Sequence, residues 1–227
     1  MQDGIMKVVL SLGGSVLGDT EKIRKFAKAI NEVECNKLFV VVGGGRVARD
    51  YINKARTLGA DETLCDYIGI AVTRINAMLL ISALKSSNRV ATKVPTNFIE
   101  AYELSKTNNI VIMGGTFPGH TTDATAALLA EFVGADLFLN ATSVNGVYST
   151  DPKKDKNAKR FEKLTPSELV EIVRRGEIKA GSSNVLDLLA AKIIERSKIK
   201  TIIFLGEPEN IKKAIRGETK EIGTLIE

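Results

Sequence analysis

Apolar residues fall in short, nearly unbroken runs, separated by longer stretches where they recur every three or four positions. The runs are Val8–Leu12, Leu38–Val42, Ile110–Met113, Leu137–Leu139 and Thr201–Leu205, with a further short one near Val90–Val94. Runs this dense in Val, Ile, Leu and Phe read as strands buried on both faces of a parallel sheet. The stretches between them predict helices over Glu21–Val33, Val47–Leu58, Cys65–Leu84, Asp123–Val133, Pro166–Arg174 and Val185–Arg196. In the first, Ile23, Phe26, Ala27, Ile30 and Val33 share one face at helical spacing. Strands alternating with helices predict an α/β fold with helices on both faces of the sheet.

Three of the expected strand ends run into glycine: Gly13-Gly14-Ser15, Gly43-Gly44-Gly45 and Gly114-Gly115-Thr116. In open α/β sheets ligands sit beyond the carboxyl ends of the strands. Glycine there lets backbone N–H groups approach an anion, and the following helix adds its positive end. Three such turns, all leading toward helices, point to a ligand with several phosphates. The stretch Thr142–Pro152 differs. Asn145-Gly146 between Val144 and Val147 predicts a β-hairpin projecting from the sheet edge, and Asp151-Pro152 ends it. Gly181-Ser182-Ser183-Asn184 reads as a loop with an N-cap before Val185.

The segment Cys65–Leu84 is apolar around nearly its whole circumference. Either a central core helix or a subunit interface accounts for it, since a surface helix in an α/β sandwich needs one wet face. Asp66, near its start, is a carboxylate favourable to the positive end of the helix dipole.

The chain has 227 residues, 44% hydrophobic and 26% charged, which argues against disorder. At this length one large or two small domains are allowed. Cys35 and Cys65 have no His/Cys companions at ligand spacing, so neither a disulfide framework nor a zinc site is expected. They fit a reduced, cytoplasmic setting. The net charge is +5 and aromatics are only 5%, with no Trp, so a nucleic-acid stacking platform is not expected. An anionic small substrate is the alternative use of mild positive charge. The basic cluster Lys153, Lys154, Lys156, Lys159 and Arg160 reads as a solvated loop. No secretory signal is expected from Met6–Leu12, no run of 18 apolar residues predicts a membrane span, and residues 1–5 read as an extension before Met6.

Several chemistries are excluded by pattern. There is no G-x-x-x-x-G-K-[ST] phosphate loop and no G-x-S-x-G elbow. Gly43-x-Gly45-x-x-Ala48 fits a relaxed dinucleotide fingerprint, but the region about 20 residues on, around Asp66, reads as helix rather than the end of a strand. His120 is the sole histidine, and a structural or a substrate-contacting role is open to it.

The glycine turns and their surroundings resemble the amino acid kinase fold family and, within it, the UMP kinases of archaeal type. The matching stretches run in the family's order over almost the whole chain. They are Leu12-Gly13-Gly14-Ser15, Val41–Arg49, Asp66–Ile70 with Thr73-Arg74-x-Asn76-Ala77, Met113–Asp123, Thr142–Tyr148 with Asp151-Pro152, and Asp187-x-x-Ala190-Ala191-Lys192. The resemblance implies a three-layer α/β/α sandwich with a mostly parallel sheet, one domain over residues 1–227, and phosphoryl transfer from ATP to UMP with Mg²⁺. It implies assembly as a homohexamer built from dimers, with Cys65–Leu84 in the dimer interface. Other kinases of the fold act on isopentenyl phosphate, carbamate or acylated amino acids, and a non-catalytic nucleotide sensor is a further alternative.

The implied site follows residue by residue. Gly14, Arg49 and Asp187 are the implied catalytic positions. Gly14, Ser15, Gly45, Arg49, Thr142, Ser143, Tyr148 and Asp151 fall on the ATP side. Gly44, Asp66, Thr116, Phe117, Pro118, Gly119, His120, Thr121 and Thr122 fall on the UMP side. No dedicated protein metal site is implied beyond the Mg²⁺ that accompanies ATP. Two positions depart from the family pattern. Ser11 stands where many members carry the Lys of K-x-G-G, which leaves Arg49 as the favoured cation and Lys192 as the next to test. Thr142-Ser143-Val144-Asn145 stands for the usual T-N-V-D.

Overall fold

The computed structural model describes residues 6–150, 152, 155–178 and 185–227. Asp151, the Lys153–Lys154 pair, the expected cap at residues 181–184 and the extension at residues 1–5 lie outside the described residues. Seven strands form one sheet: β1 (Lys7–Leu12), β2 (Lys37–Val42), β3 (Ile110–Met113), β4 (Leu137–Thr142), β5 (Lys163–Leu164), β6 (Thr201–Leu205) and β7 (Gly223–Ile226). Their order is β3-β2-β1-β4-β6-β7-β5. The first five in that order are parallel, β7 runs antiparallel to β6, and β5 is parallel to β7.

Helices cover both faces: α1 (Thr20–Asn31), α2 (Gly45–Thr57), α3 (Glu62–Ala83), α4 (Phe98–Thr107), α5 (Thr122–Val133), α6 (Pro166–Ile178), α7 (Leu188–Ser197), α8 (Pro208–Ile215) and α9 (Thr219–Ile222). The strand period of two divides the core. Val8, Leu10 and Leu12 join Phe26 and Ile30 of α1, Leu80 of α3 and Ile211 of α8 on one face. Val9 joins Ala101 of α4, Leu129 of α5, Leu169 of α6 and Ile193 of α7 on the other. Each fully buried Leu, Ile or Phe contributes roughly 1.5–3 kcal/mol, and these two layers fix the sandwich.

The expected α/β/α architecture is present, and β3 and β6 have the bounds that the pattern gives. Other expectations are corrected. The Thr142–Pro152 stretch is not a β-hairpin: beyond β4 the chain bends, and Tyr148 makes an isolated antiparallel bridge with Arg160. Near Val90–Val94 only Val90 pairs, as a single parallel bridge to Ile110. Helix α7 begins at Leu188, capped by Asp187, rather than at Val185. Of the basic cluster, Arg160 is structural, with Nη2 donating to the Lys220 carbonyl at 2.6 Å. Helix α3 starts at Glu62, capped by Asp61, so Asp66 lies in its second turn and the helix-end charges are Asp61 and Glu62. At 22 residues α3 has the length and mean apolarity of a membrane span, although Asp66 and Arg74 interrupt its apolar run. It lies against the sheet instead, with Ala77 and Leu80 fully buried.

The strand order places one feature. From β1 the chain steps to β2 and β3 on one side, and β4 then returns to the other side of β1. Such a reversal opens a crevice at the carboxyl ends of β1 and β4, the usual ligand position in open α/β sheets.

Candidate active site

The three glycine turns meet at this edge. Gly14 opens a 3₁₀ turn, Gly14–Leu17, after β1 and presses on the start of α2. A methyl group there would strike the Gly45 amide nitrogen and come within 2.5 Å of the Gly43 carbonyl oxygen. Gly45 has φ +64°, which only glycine adopts at little cost. The third turn is tied in by α3. The Gly115 amide donates to Thr73 Oγ1 at 2.7 Å, and Asn76 Nδ2 donates to the carbonyls of Gly43 at 2.8 Å and Gly44 at 3.3 Å. Arg74 Nε donates to the Gly115 carbonyl at 3.3 Å. Thr73 and Asn76 are buried polar groups that need partners, and the turns supply them. These braces carried no role in the sequence reading, although polar residues on so apolar a helix were their signal.

A second group stands beside the cleft. Ser11 is fully buried, and its hydroxyl donates to Asp123 Oδ1 at 2.7 Å. Thr121 caps α5 by accepting the Ala124 amide at 3.0 Å and donates its hydroxyl to Asp187. Asp187 in turn caps α7, accepting the Ala190 amide at 2.9 Å. Burial pushes the Asp123 carboxyl up to about 6 from 3.8, and the nearby Asp187 charge adds to this, while hydrogen bonds from Ser11 and Asn140 oppose it. Asp123 is thus a site residue that the sequence reading placed in a motif without assigning it a role.

The other flank of the glycine turns carries the Thr116–Thr122 loop. Asp66 Oδ2 accepts the Gly119 amide at 2.7 Å, where Gly119 takes φ +81°. One carboxylate of α3 therefore holds the loop tip, and its other oxygen has no protein partner among the described residues. Phe117 is 63% exposed, and its ring lies 6.2 Å from His120. Thr122 opens α5, with its hydroxyl about 3.0 Å from where a side chain on Gly43 would sit.

Between β1, β4 and β6 the crevice holds a cleft of about 480 Å³. Gly13 and Ser15 line it after β1, Thr142 and Ser143 after β4, and Gly206, Glu207 and Pro208 after β6. Asp123 and Asn140 form its floor, and Lys22, Lys25 and Phe26 of α1 its wall. Of the expected ATP-side residues, Ser15, Thr142 and Ser143 line this cleft. Gly14, Gly45, Arg49 and Tyr148 do not. Arg49 is exposed in the second turn of α2. Tyr148 donates its hydroxyl to Asn145 Oδ1 at 2.6 Å. Lys192 pairs with Glu195 at 2.9 Å and lies outside the cleft. Lys7 caps the far end of α5, its Nζ donating to the Val133 carbonyl at 2.8 Å. A second hollow, of about 210 Å³, lies between Glu32–Glu34 and Lys212, and shares no residue with the cleft.

A crevice at the switch point, glycine turns at three strand ends and a buried carboxylate at its floor are the features of a phosphoryl-transfer site of the α/β class. The chain belongs to the amino acid kinase family, which it matches over residues 6–205. It is 66% identical to a uridylate kinase of Archaeoglobus fulgidus over 97% of this chain and all of that protein. It is 47% identical to a uridylate kinase of Methanocaldococcus jannaschii, over 98% of this chain and all of the relative. The crystal structure of the Archaeoglobus fulgidus uridylate kinase superposes with a TM-score of 0.90, covering 98% of this chain and 100% of that one. A UMP kinase of Bacillus anthracis, 27% identical, superposes with a TM-score of 0.78 over 97% of this chain and 95% of the other.

Proposed function

We propose that the protein transfers the γ-phosphoryl group of ATP to UMP, giving UDP and ADP, in pyrimidine nucleotide biosynthesis in the cytoplasm. The observation that carries this reading is the two-sided site: a donor cleft at the switch point and an acceptor loop held by Asp66, joined through the glycine turns. Phosphoryl transfer asks little covalent chemistry of a protein; it asks for alignment and charge neutralisation. Ser15 lines the donor cleft, and Gly14, Gly45 and Arg49, which lie outside its lining, would meet the phosphates only where these leave the cleft toward the acceptor loop. Thr142, Ser143, Tyr148 and Asp151 surround the adenosine. Gly44, Asp66 and the Thr116–Thr122 loop, including Phe117, Pro118, Gly119, His120 and Thr121, hold UMP. The whole chain, residues 1–227, acts as one such domain.

Magnesium fits the residues present. Mg²⁺ takes oxygen ligands and is usually held by one or two carboxylates together with substrate phosphates. Asp123 and Asp187 are neighbouring carboxylates; burial is the main cause of the raised Asp123 pKa and the Asp187 charge adds to it, and a cation there would offset both. No group of three or more metal-binding side chains occurs among the described residues. When bound, Mg²⁺ neutralises phosphate charge.

The decisive test is a coupled ADP-release assay over UMP, CMP, dUMP, AMP, carbamate and isopentenyl phosphate, with UMP expected to be the best acceptor. Asp66→Asn is expected to raise the KM for UMP about 10–100-fold and leave that for ATP nearly unchanged, because hydrogen bonds to a charged acceptor contribute roughly 1.5–3 kcal/mol. Discrimination of UMP from dUMP is expected to shrink. An unchanged KM for UMP removes Asp66 from the substrate site.

The assembly we propose is a homohexamer built from dimers. The outer face of α3 exposes Leu64, Tyr67, Ile75, Met78 and Leu79, each about half accessible. Such a patch is large for a monomer surface and marks an interface. Met78→Glu is expected to split the dimer, since an unpaired charge buried there costs several kcal/mol. Light scattering of the variant and the parent protein checks this, and a monomeric parent contradicts it.

A further inference from the structure

The floor of the donor cleft is acidic, and β1 brings no cation to it. Ser11 occupies the inward position of β1 beside Asp123, and its hydroxyl is committed to that carboxylate. The cationic side chains that line the cleft are Lys22 and Lys25, both on α1. They are not equivalent. Lys25 is paired with Glu21 at 2.9 Å, and Glu21, Asp19 and Glu207 together raise its pKa, so its charge is already compensated. Lys22 has no carboxylate within ion-pair distance of its side chain among the described residues.

The position of Lys22 is locally unfavourable. Asp19 caps α1, accepting the Lys22 amide at 2.8 Å, which makes Lys22 the third residue of the first turn. A cation in the first turn of a helix opposes the helix dipole. Glu21, the acidic residue of that turn, reaches forward to Lys25 instead. A lysine that opposes the dipole, lacks an ion pair and lines an anion-sized cleft is explained by a ligand that supplies the negative charge.

We infer that Lys22 is the phosphate-binding cation of the donor site, reaching from α1 over the Gly13–Ser15 turn to the β- and γ-phosphates of the nucleotide. The inference deepens the kinase reading and rests on it for the identity of the nucleotide. Lys22 supplies from α1 the positive charge that β1 does not, and it lines the same cleft as Asp123. Its flexible stem lets the charge follow the phosphoryl group as it leaves ADP.

The test is paired. Lys22→Ala and Lys22→Arg are compared with the parent protein in UDP formation and in binding of inorganic tripolyphosphate and ATP by calorimetry. Lys22→Ala is expected to lower kcat about 100-fold, or to weaken tripolyphosphate and ATP binding at least 10-fold, with the KM for UMP within a factor of three. Lys22→Arg is expected to recover most of the loss; its melting temperature is expected to match the parent's, and that of Lys22→Ala to equal or exceed it, because the side chain is exposed and its charge opposes the helix dipole. Unchanged kcat and unchanged binding in Lys22→Ala overturn the inference, as does equal loss in the alanine and arginine variants. If the parent binds ATP but forms no UDP, the UMP kinase reading fails. A loss of triphosphate affinity in Lys22→Ala then still upholds Lys22 as the cation.

Discussion

Asp123→Asn is expected to abolish UDP formation, with kcat down about 1,000-fold or more, and yet to stabilise the folded protein above pH 6. The carboxyl pKa is about 6 in the fold against an ordinary 3.8, chiefly because burial disfavours its charge. A raised carboxyl pKa means that the folded state binds the proton more tightly than the unfolded chain. Its contribution to stability is fully present below about pH 4 and is lost as pH rises through 6. Above that, ionised Asp123 costs the fold up to about 3 kcal/mol, an upper bound. Asparagine keeps an acceptor for the Ser11 hydroxyl and removes the charge. Thermal melts from pH 4 to 8, without nucleotide or divalent metal, are expected to converge at low pH and to favour the variant at high pH. A variant that melts lower at pH 8 shows that the hydrogen bonds from Ser11 and Asn140 outweigh the burial cost. In the kinase reading proposed above, the charge that destabilises the fold is the one that would stand beside the phosphates, a trade of stability for activity.

Gly14→Ala is expected to be the most damaging small substitution in the chain. The added methyl meets backbone atoms on every near side, the Gly45 nitrogen and the Gly43 carbonyl, and none of these is a flexible side chain that can swing away. The turn after β1 and the N-terminus of α2 must therefore separate. Overpacking of this kind costs roughly 1–3 kcal/mol and more where backbone must move. Activity is expected to fall further than stability, because a displacement of about 1 Å at a phosphate site costs on the order of 100-fold in rate. Gly18→Ala is the control. Gly18 has φ −70°, and a methyl there would lie 3.4 Å from the Ser15 carbonyl oxygen. Its melting temperature and kcat are expected to stay near those of the parent. Equal behaviour of the two variants contradicts the close packing of Gly14 on Gly45.

Much of the frame was legible in the residues themselves. Unbroken apolar runs located the parallel strands, because a strand buried on both faces tolerates few polar side chains. Glycine at three strand ends marked where the turns converge, because only glycine permits the backbone approach seen between Gly14 and Gly45. Other elements left a local signal that was not used. Asn97 followed by Glu100 marks the start of α4, where Asn97 accepts the Glu100 amide at 2.9 Å. Pro208 marks the first turn of α8.

The remainder depended on tertiary pairing. Strands β5 and β7 have two and four residues, too few for a periodic pattern, and exist because β6 offers β7 an edge. Asn145-Gly146 has the local chemistry of a hairpin, but Gly146 packs on Thr224, and Tyr148 pairs with Arg160 rather than with the strand before it. Asp66 could be read as a helix-end charge as well as a substrate contact, and only the structure shows that Asp61 and Glu62 occupy that end. Ser11 and Asp123 lie 112 positions apart, and only the placement of α5 against β1 brings hydroxyl and carboxyl together. The sequence by itself determined the five central strands, six of the helices and where the chain turns sharply on glycine, because these depend on neighbours within a few residues. Which carboxylates share a cleft, and which lysines line it, depended on sheet order and register, which place side chains from distant segments side by side.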